Sequence, residues 1–270
     1  MSDALGDRMK MYEKRDVQKF MPFLPIVVRL DGKNFSKYTK GFARPYDERF
    51  SNLMQYLTRK LVEESAACMG YTQSDEISLV FFSGDQKSQV FFDRKIYKMV
   101  SVLASMASTW LQLMVPKLIP ERVGVPAMFD CRAWQVPNQG EAANAILWRE
   151  FDATKNSIQM AARSVYSHKQ LLNKHGGQLQ DMLFEKGINW NDYPAFFKRG
   201  SYFQRRKELT KFSPVELERL PLKHAARTNP DLEILRTRVK RINMPPLNRV
   251  VNRIQVIFDG QDPITESQES

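Results

Sequence analysis

The apolar positions of this chain change period several times, and each change marks an element. Leu24-Pro-Ile-Val-Val-Arg-Leu30 is a β-branched run closed by Asp31-Gly32, which predicts a buried strand meeting a turn, with Pro25 confined to the strand start. From Tyr46 to Ala67 the apolar residues Phe50, Leu53, Met54, Leu57 and Leu61 recur at spacings of three and four, the signature of an amphipathic helix, and Asp47 and Glu48 suit its first turn. Glu76-Ile-Ser-Leu-Val-Phe-Phe82 and Ser88-Gln-Val-Phe-Phe92 read as two strands joined by a hairpin through Ser83-Gly-Asp-Gln-Lys87. Helical spacing returns with Ile96, Met99, Val100, Leu103, Met106, Trp110 and Leu113 and runs to Pro116. Ala127-Met-Phe-Asp-Cys-Arg132 then predicts a fourth strand and residues 140–165 a third helix.

The order β-α-β-β-α-β is that of the ferredoxin-like, split β-α-β arrangement, an α+β fold in which helices back a four-stranded antiparallel sheet. It is also the order of many polymerase palms. Residues 20–165 are therefore expected to form a palm-like catalytic domain, and residues 166–270 a helical, irregular and basic C-terminal region packed on it. No internal repeat or low-complexity segment interrupts either part.

Charge adds a partner to this picture. The formal net charge is +11, and residues 161–260 hold 19 Lys and Arg against 9 Asp and Glu, whereas residues 1–160 hold 22 against 18. A surplus gathered in one part favours a polyanion, because each phosphate neutralised releases counterions and adds sequence-independent affinity. Only Cys68 and Cys131 occur, too few for a disulfide framework, and no stretch approaches the ~18 consecutive apolar residues of a membrane span. A soluble cytoplasmic or organelle-matrix protein with buried thiols is expected. The histidines His168, His175 and His224 lack a metal-binding spacing, and the 13 methionines fall mostly on apolar helical faces.

The chemistry lies in carboxylates. Asp31 ends the first strand and Asp75-Glu76 begin the second; if those strands run antiparallel, both sites share one edge of the sheet. Two Asp side chains from separate strands, with the Gly32 carbonyl, are hard oxygen ligands that leave room for water and phosphate, a set suited to Mg²⁺. Alternation along a strand sends Asp75 and Glu76 to opposite faces, so Asp75 is the metal candidate and Glu76 a supporting one. An Asp-Gly turn and a polar strand start are also common without any metal.

The local wording decides further. Arg29-Leu-Asp-Gly-Lys-Asn-Phe35, Phe42-Ala-Arg-Pro-Tyr-Asp47 and Gly70-Tyr-Thr-Gln-Ser-Asp-Glu-Ile-Ser-Leu-Val-Phe81, in that order, closely resemble the motif series of the tRNA-histidine guanylyltransferase family. Phe129-Asp-Cys-Arg132, Trp148-Arg-Glu-Phe-Asp152 with Asn156, and Gly187-Ile-Asn-Trp-Asn-Asp192 extend the likeness over roughly residues 21–208. The resemblance implies a polymerase-like palm with two Mg²⁺ ions on Asp31, the Gly32 carbonyl and Asp75. It implies activation of an RNA 5′-monophosphate with ATP or GTP, followed by attack from the 3′-hydroxyl of an incoming nucleotide, in a homotetramer acting on tRNA. Arg29, Lys33, Asn34, Phe35, Arg44, Ser74, Lys95, Lys98, Arg132 and Asn156 lie in or near the matching motifs and are the nucleotide and triphosphate candidates. Lys155, Lys198, Arg199, Arg205, Arg206 and Lys207 are candidates for RNA phosphates.

A histidine common in the first motif is Ser36 here, and the His-Ile-Asn-Asn run of the eukaryotic enzymes reads Thr154-Lys-Asn-Ser157. Both departures are more similar to the guanylyltransferase-like branch, whose members repair or extend 5′-truncated tRNAs by copying the opposite strand. Templated repair is the expected activity, with dedicated G addition to histidine tRNA as its alternative. An RNA-independent nucleotide cyclase and an inactive RNA-binding palm are the readings from other classes.

Overall fold

The computed structural model describes residues 4–15, 17–85, 87–229 and 231–266. Helix α1 (Ala4–Arg15) buries none of its side chains. Strand β1 (Ile26–Gly32) follows and leads through the single turn α2 (Phe35–Tyr38) into α3 (Glu48–Ser65). Asp47 caps α3 by accepting the backbone N–H groups of Arg49 (3.0 Å) and Phe50 (3.4 Å), which supplies partners for otherwise orphaned donors. Next come β2 (Met69–Gln73), β3 (Glu76–Phe81), α4 (Ile96–Leu118), β4 (Phe129–Gln135) and α5 (Gln139–Val165).

Helix α4 has the length and apolarity of a membrane span, yet Met99, Leu103, Ala107, Leu111 and Val115 are fully buried in the core, so it reads as a core helix. After α5 the short helices α6 (His168–Leu171), α7 (Gly176–Glu185) and α8 (Ala195–Arg199) precede β5 (Ser201–Lys211). The helices α9 (Pro214–Arg219) and α10 (Ala225–Thr228) lead to β6 (Glu233–Ile242), and α11 (Arg253–Asp259) follows it.

The strands form one antiparallel sheet in the order β4-β1-β3-β2-β5-β6. Because side chains alternate along a strand, Ile26, Val28 and Leu30 point to the face covered by α3 and α4, where they pack with Leu53, Leu57 and Met99. Val27 points to the other face with Val80 and Tyr71, under Ala142 and Ile146 of α5 and Val256 of α11.

Two expectations are corrected here. Residues 88–92 are not a strand, and the hairpin expected through residues 83–87 is absent; residue 86 lies outside the described residues. The partner of β3 is instead β2, joined to it by the two-residue turn Ser74-Asp75, with Gln73 paired to Glu76. The C-terminal region, expected to be helical and irregular, also contributes two long strands, since β5 and β6 extend the sheet and β5 pairs directly with β2 through Thr72 and Ser201.

Candidate active site

The register sets the site out in rows. Asp31 of β1 lies opposite Glu76 of β3 on one side and Asp130 of β4 on the other; one row back, Arg29 lies between Ser78 and Arg132. All six share the α5 face of the sheet. The β2–β3 turn brings Asp75 to the same edge, with Ser74 in a left-handed conformation at φ 50°. Two backbone and side-chain bonds hold it there: the Gly32 N–H donates to the Asp75 carbonyl at 3.1 Å and the Ser74 hydroxyl to the Asp75 carboxylate at 3.1 Å.

Burial pushes the Asp75 carboxyl above its usual range, and the nearby charge of Asp31 pushes it in the same direction. Among the described residues neither Asp31 nor Asp75 has an ion-pair partner. The cations at this edge are engaged elsewhere, Arg149 with Glu76 and Arg132 with Asp130, and leave these two carboxylates unpaired. Among the described residues no three His, Cys, Asp or Glu side chains are placed to hold one metal ion, so protein side chains alone leave a cation's coordination incomplete.

Glu76 is occupied differently. It is buried, and both its oxygens accept hydrogen bonds from Arg149 of α5 at 2.6 Å, while Arg149 also reaches Asp152 at 2.9 Å. Burial raises the Glu76 carboxyl and the Arg149 guanidinium pulls it back down. The role the geometry gives Glu76 is to anchor α5 over the sheet.

Two cavities meet beside these groups. A cleft of about 310 Å³ is lined by Asp31, Asp75, Glu76, Arg149 and Asp152. A smaller, more apolar cavity of about 100 Å³ lies between Phe42, Ala43, Tyr46, Phe50 and Phe197, with Arg44 and Asp47 at its wall. Ser74 and Asn156 line both.

The structure brings together most of the residues singled out in the sequence and separates others. Lys33 and Asn34 are exposed just beyond Gly32. Phe35 is a correction to the nucleotide-contact expectation: its ring is 2% exposed and packs against Tyr38, Phe50 and Phe129. Gly32 makes room for it, since a Cβ there would stand 2.4 Å from the ring. Arg132 is exposed and contacts Asp130 at 3.2 Å. The Nε of Arg29 is buried with no hydrogen-bond partner among the described residues.

Lys95 and Lys98 lie at the other end of the sheet, where Lys95 bridges Lys19 ahead of β1, a strand's length of roughly 20 Å from the carboxylates. Lys155 is exposed on α5, while Lys198 is bound to the Asn191 carbonyl and lies over the Trp190 ring. Arg205 and Lys207 face a separate cleft at the far end of the sheet. Arg206 is tied to Asp262 at 2.6 Å and to the Gln261 carbonyl at 3.1 Å, which removes it from the free phosphate-binding set.

Arg149, Asp152, Asp130 and Trp148 fall within the matching motifs, but the sequence alone assigned them no role. The signal for Arg149 was there: it falls three residues after Ile146 and four before Ala153, on the buried face of an amphipathic helix.

Comparisons with known proteins agree with this geometry. The sequence model of the Thg1 family, described as tRNAHis guanylyltransferase, matches residues 6–137. The tRNA(His) guanylyltransferase of Saccharomyces cerevisiae is 29% identical over 227 residues, 77% of this chain and 93% of that protein. That of Neurospora crassa is 30% identical over 230 residues, 77% of this chain and 75% of its own. A bacterial tRNA(His) guanylyltransferase (Thg1)-like protein solved in complex with ATP superimposes with a TM-score of 0.76 at 32% identity, covering 94% of this chain and 99% of its own. A bacterial Thg1-like protein solved with GTP gives 0.69 at 31% identity, covering 91% and 94%.

A carboxylate edge beside adjoining cavities, on a sheet shared with these proteins, defines the class as nucleotidyltransferase. The chain belongs to the tRNA(His) guanylyltransferase family.

Proposed function

We propose that this protein adds nucleotides to the 5′ end of tRNA in the 3′-to-5′ direction, by templated repair or extension of 5′-truncated molecules. The observation that carries the reading is the meeting of Asp31 and Asp75 at one sheet edge, facing a cleft that shares Ser74 and Asn156 with the wall of a more apolar cavity. A triphosphate in the cleft would place its base among Phe42, Ala43 and Phe197, and similar bacterial proteins were solved with ATP and GTP. The four strands β4-β1-β3-β2, with their two crossover helices, serve in this reading as a ferredoxin-like polymerase palm spanning about residues 20–165.

The donor set fits magnesium. Asp31, Asp75 and the Gly32 carbonyl are hard oxygen ligands, and a divalent cation would offset the burial, and with it the Asp31 charge, that raise Asp75. Bound there, Mg²⁺ supplies charge neutralisation on phosphoryl oxygens and favours ionisation of an attacking hydroxyl.

The chain's own residues do the rest. Asn156 donates a hydrogen bond to a phosphate oxygen where the two cavities meet, and the Ser74 hydroxyl turns from Asp75 to do the same. Arg44 adds positive charge at the cavity wall, while Arg29 and Arg132 sit one row behind the carboxylates. In the first step, the RNA 5′-phosphate attacks ATP or GTP and pyrophosphate leaves. In the second, the 3′-hydroxyl of the incoming nucleotide attacks that activated phosphate and the nucleoside monophosphate leaves. Arginines beside both reactions stabilise the charge that builds on the phosphoryl oxygens. A homotetramer is part of the proposal, and elution at monomer mass on gel filtration would remove that part.

The test is incorporation of labelled GTP, with Mg²⁺, into intact histidine tRNA and into a tRNA lacking its first 5′ nucleotide, both 5′-monophosphorylated. Incorporation that follows the opposite base, and that drops by about a thousandfold or more in Asp31→Ala and Asp75→Ala, is expected. G added only to histidine tRNA would replace templated repair with dedicated addition. Turnover without RNA would point to a cyclase, and no turnover by folded protein would leave an RNA-binding palm.

A further inference from the structure

Helix α5 carries an exposed stripe that the chemistry above does not use. Positions 144, 148, 151 and 155 are spaced four, three and four apart and so lie on one helix face, occupied by Asn144, Trp148, Phe151 and Lys155. Trp148 and Phe151 are each 53% exposed. Single apolar residues on a surface need no explanation, but these two stand three residues apart on one face of α5, and the surroundings of Trp148 are specific.

The Trp148 indole lies against two guanidiniums, with the Cζ of Arg149 4.5 Å and that of Arg29 5.9 Å from its ring centroid. Arg149 lines the carboxylate cleft. Arg29 stands one row behind Asp31 on the same strand face, about 7 Å along β1, and its Nε is buried without a partner among the described residues. A surface of open aromatic rings therefore begins where the cleft ends, backed by the Arg29 guanidinium and continued by Lys155, while Arg149 is already paired with Glu76 and Asp152.

The group complementary to that surface is flat, offers a π-face and carries negative charge at its margin. A nucleobase on its sugar-phosphate backbone has these properties; an apolar protein segment would leave the Arg29 guanidinium unanswered. Successive bases stack on aromatic side chains with little regard to sequence while cations follow the backbone.

We propose that Trp148 and Phe151 form a stacking platform for unpaired bases at the acceptor end of the RNA, and that this platform holds the end against the Asp31–Asp75 edge. The inference rests on the proposed action on RNA and names the part of the substrate that α5 recognises. Arg29 and Lys155 meet the adjoining phosphates.

The experiment uses the full chain and two 5′-monophosphorylated hairpin RNAs. One has a recessed 5′ end with 2-aminopurine as the first unpaired base of the opposite strand; the other is blunt. Stacking quenches 2-aminopurine, so binding of the recessed RNA to the unaltered protein is expected to quench its fluorescence. Phe151→Ala and Trp148→Leu should each lose most of that quenching and raise the Kd for the recessed RNA about tenfold or more, with little effect on the blunt RNA. Trp148→Phe should restore most of both. Phe151→Ala leaves the Arg29–Trp148–Arg149 stack intact and so separates lost stacking from disturbed folding.

Full quenching in the variants, or equal loss of affinity for both RNAs, would overturn the platform. The proposed activity is judged separately: unaltered protein that adds no nucleotide but shows the expected quenching pattern keeps the platform and loses the polymerase. Protein that adds nucleotides with quenching unchanged in both variants does the reverse.

Discussion

Asp75 and Asp47 respond to folding in opposite ways, and acid titration should tell them apart. The Asp75 carboxyl is raised by burial and then by Asp31. A group raised in the folded state stabilises it below its unfolded pKa, and that contribution is lost as pH rises through the folded value. At pH 7 without metal, ionised Asp75 therefore works against the fold. Asp75→Asn is expected to raise the Tm of the metal-free protein by a few degrees at pH 7, with the gain shrinking toward the ordinary Asp range. Added Mg²⁺ should raise the Tm of the unaltered protein and not that of the variant, both readable by calorimetry.

Asp47 is lowered, first by its hydrogen bond with Arg49 and also by backbone N–H donors. Its stabilisation is present above the unfolded pKa and is lost as pH falls through the folded one. Asp47→Ala should cost about 1–2 kcal/mol in urea unfolding at pH 7 and progressively less in acid. Asp31 and Asp75 were legible in the sequence because each closes or opens an apolar run. The ring of Phe35 misled, since a sequence does not show that Gly32 clears a place for it in the core.

At the scale of elements, α5 ties the site to the rest of the molecule through adjacent residues. Arg149 reaches β3 through Glu76; Glu150, next to it, accepts from the Tyr202 hydroxyl of β5 and from the Leu247 N–H at 2.7 Å. Glu150→Ala leaves both donors buried and unpaired and is expected to cost about 2–4 kcal/mol, measured as a lower urea midpoint with unchanged slope.

The helices were readable because their apolar spacing is carried by large residues. Strand β2 was not, and Gly70 explains part of the loss. A Cβ at Gly70 would stand 2.5 Å from Val62 and 2.9 Å from Thr58 of α3, so close packing demands a residue that favours no strand. The run at 88–92 shows a strand-like composition without the pairing, because β3 already has β1 on one side and β2 on the other.

Across the whole molecule, basic groups gather at both ends of the sheet: Arg44, and Lys155 beside the cleft-lining Asp152 and Asn156 of α5, toward the carboxylates, Lys95, Lys98, Arg205 and Lys207 at the far end. Charge reversal separates bound from free members of this set. Arg205→Glu should weaken tRNA binding and flatten its dependence on salt by about one unit of slope or more. Arg206→Glu should instead lower the Tm, because it breaks the pair with Asp262. Binding isotherms at several salt concentrations and a melting curve for each variant decide both.

Strands β5 and β6 escaped the sequence reading for a reason visible in Arg205–Lys211. There both faces carry charged or polar side chains with Leu209 exposed, so the alternation that marks a strand over a core is missing where the ribbon leaves the core.

The pairing of β5 with β2 bears on how the chain could be divided. Met69–Thr72 is buried on both faces, and its outer row of N–H and C=O groups is satisfied by Gln204–Ser201. A fragment ending near residue 165 would keep every proposed metal ligand but present that row bare beside apolar side chains, an open template for another strand. Such a fragment should self-associate into sedimenting aggregates at concentrations where the full chain stays dispersed.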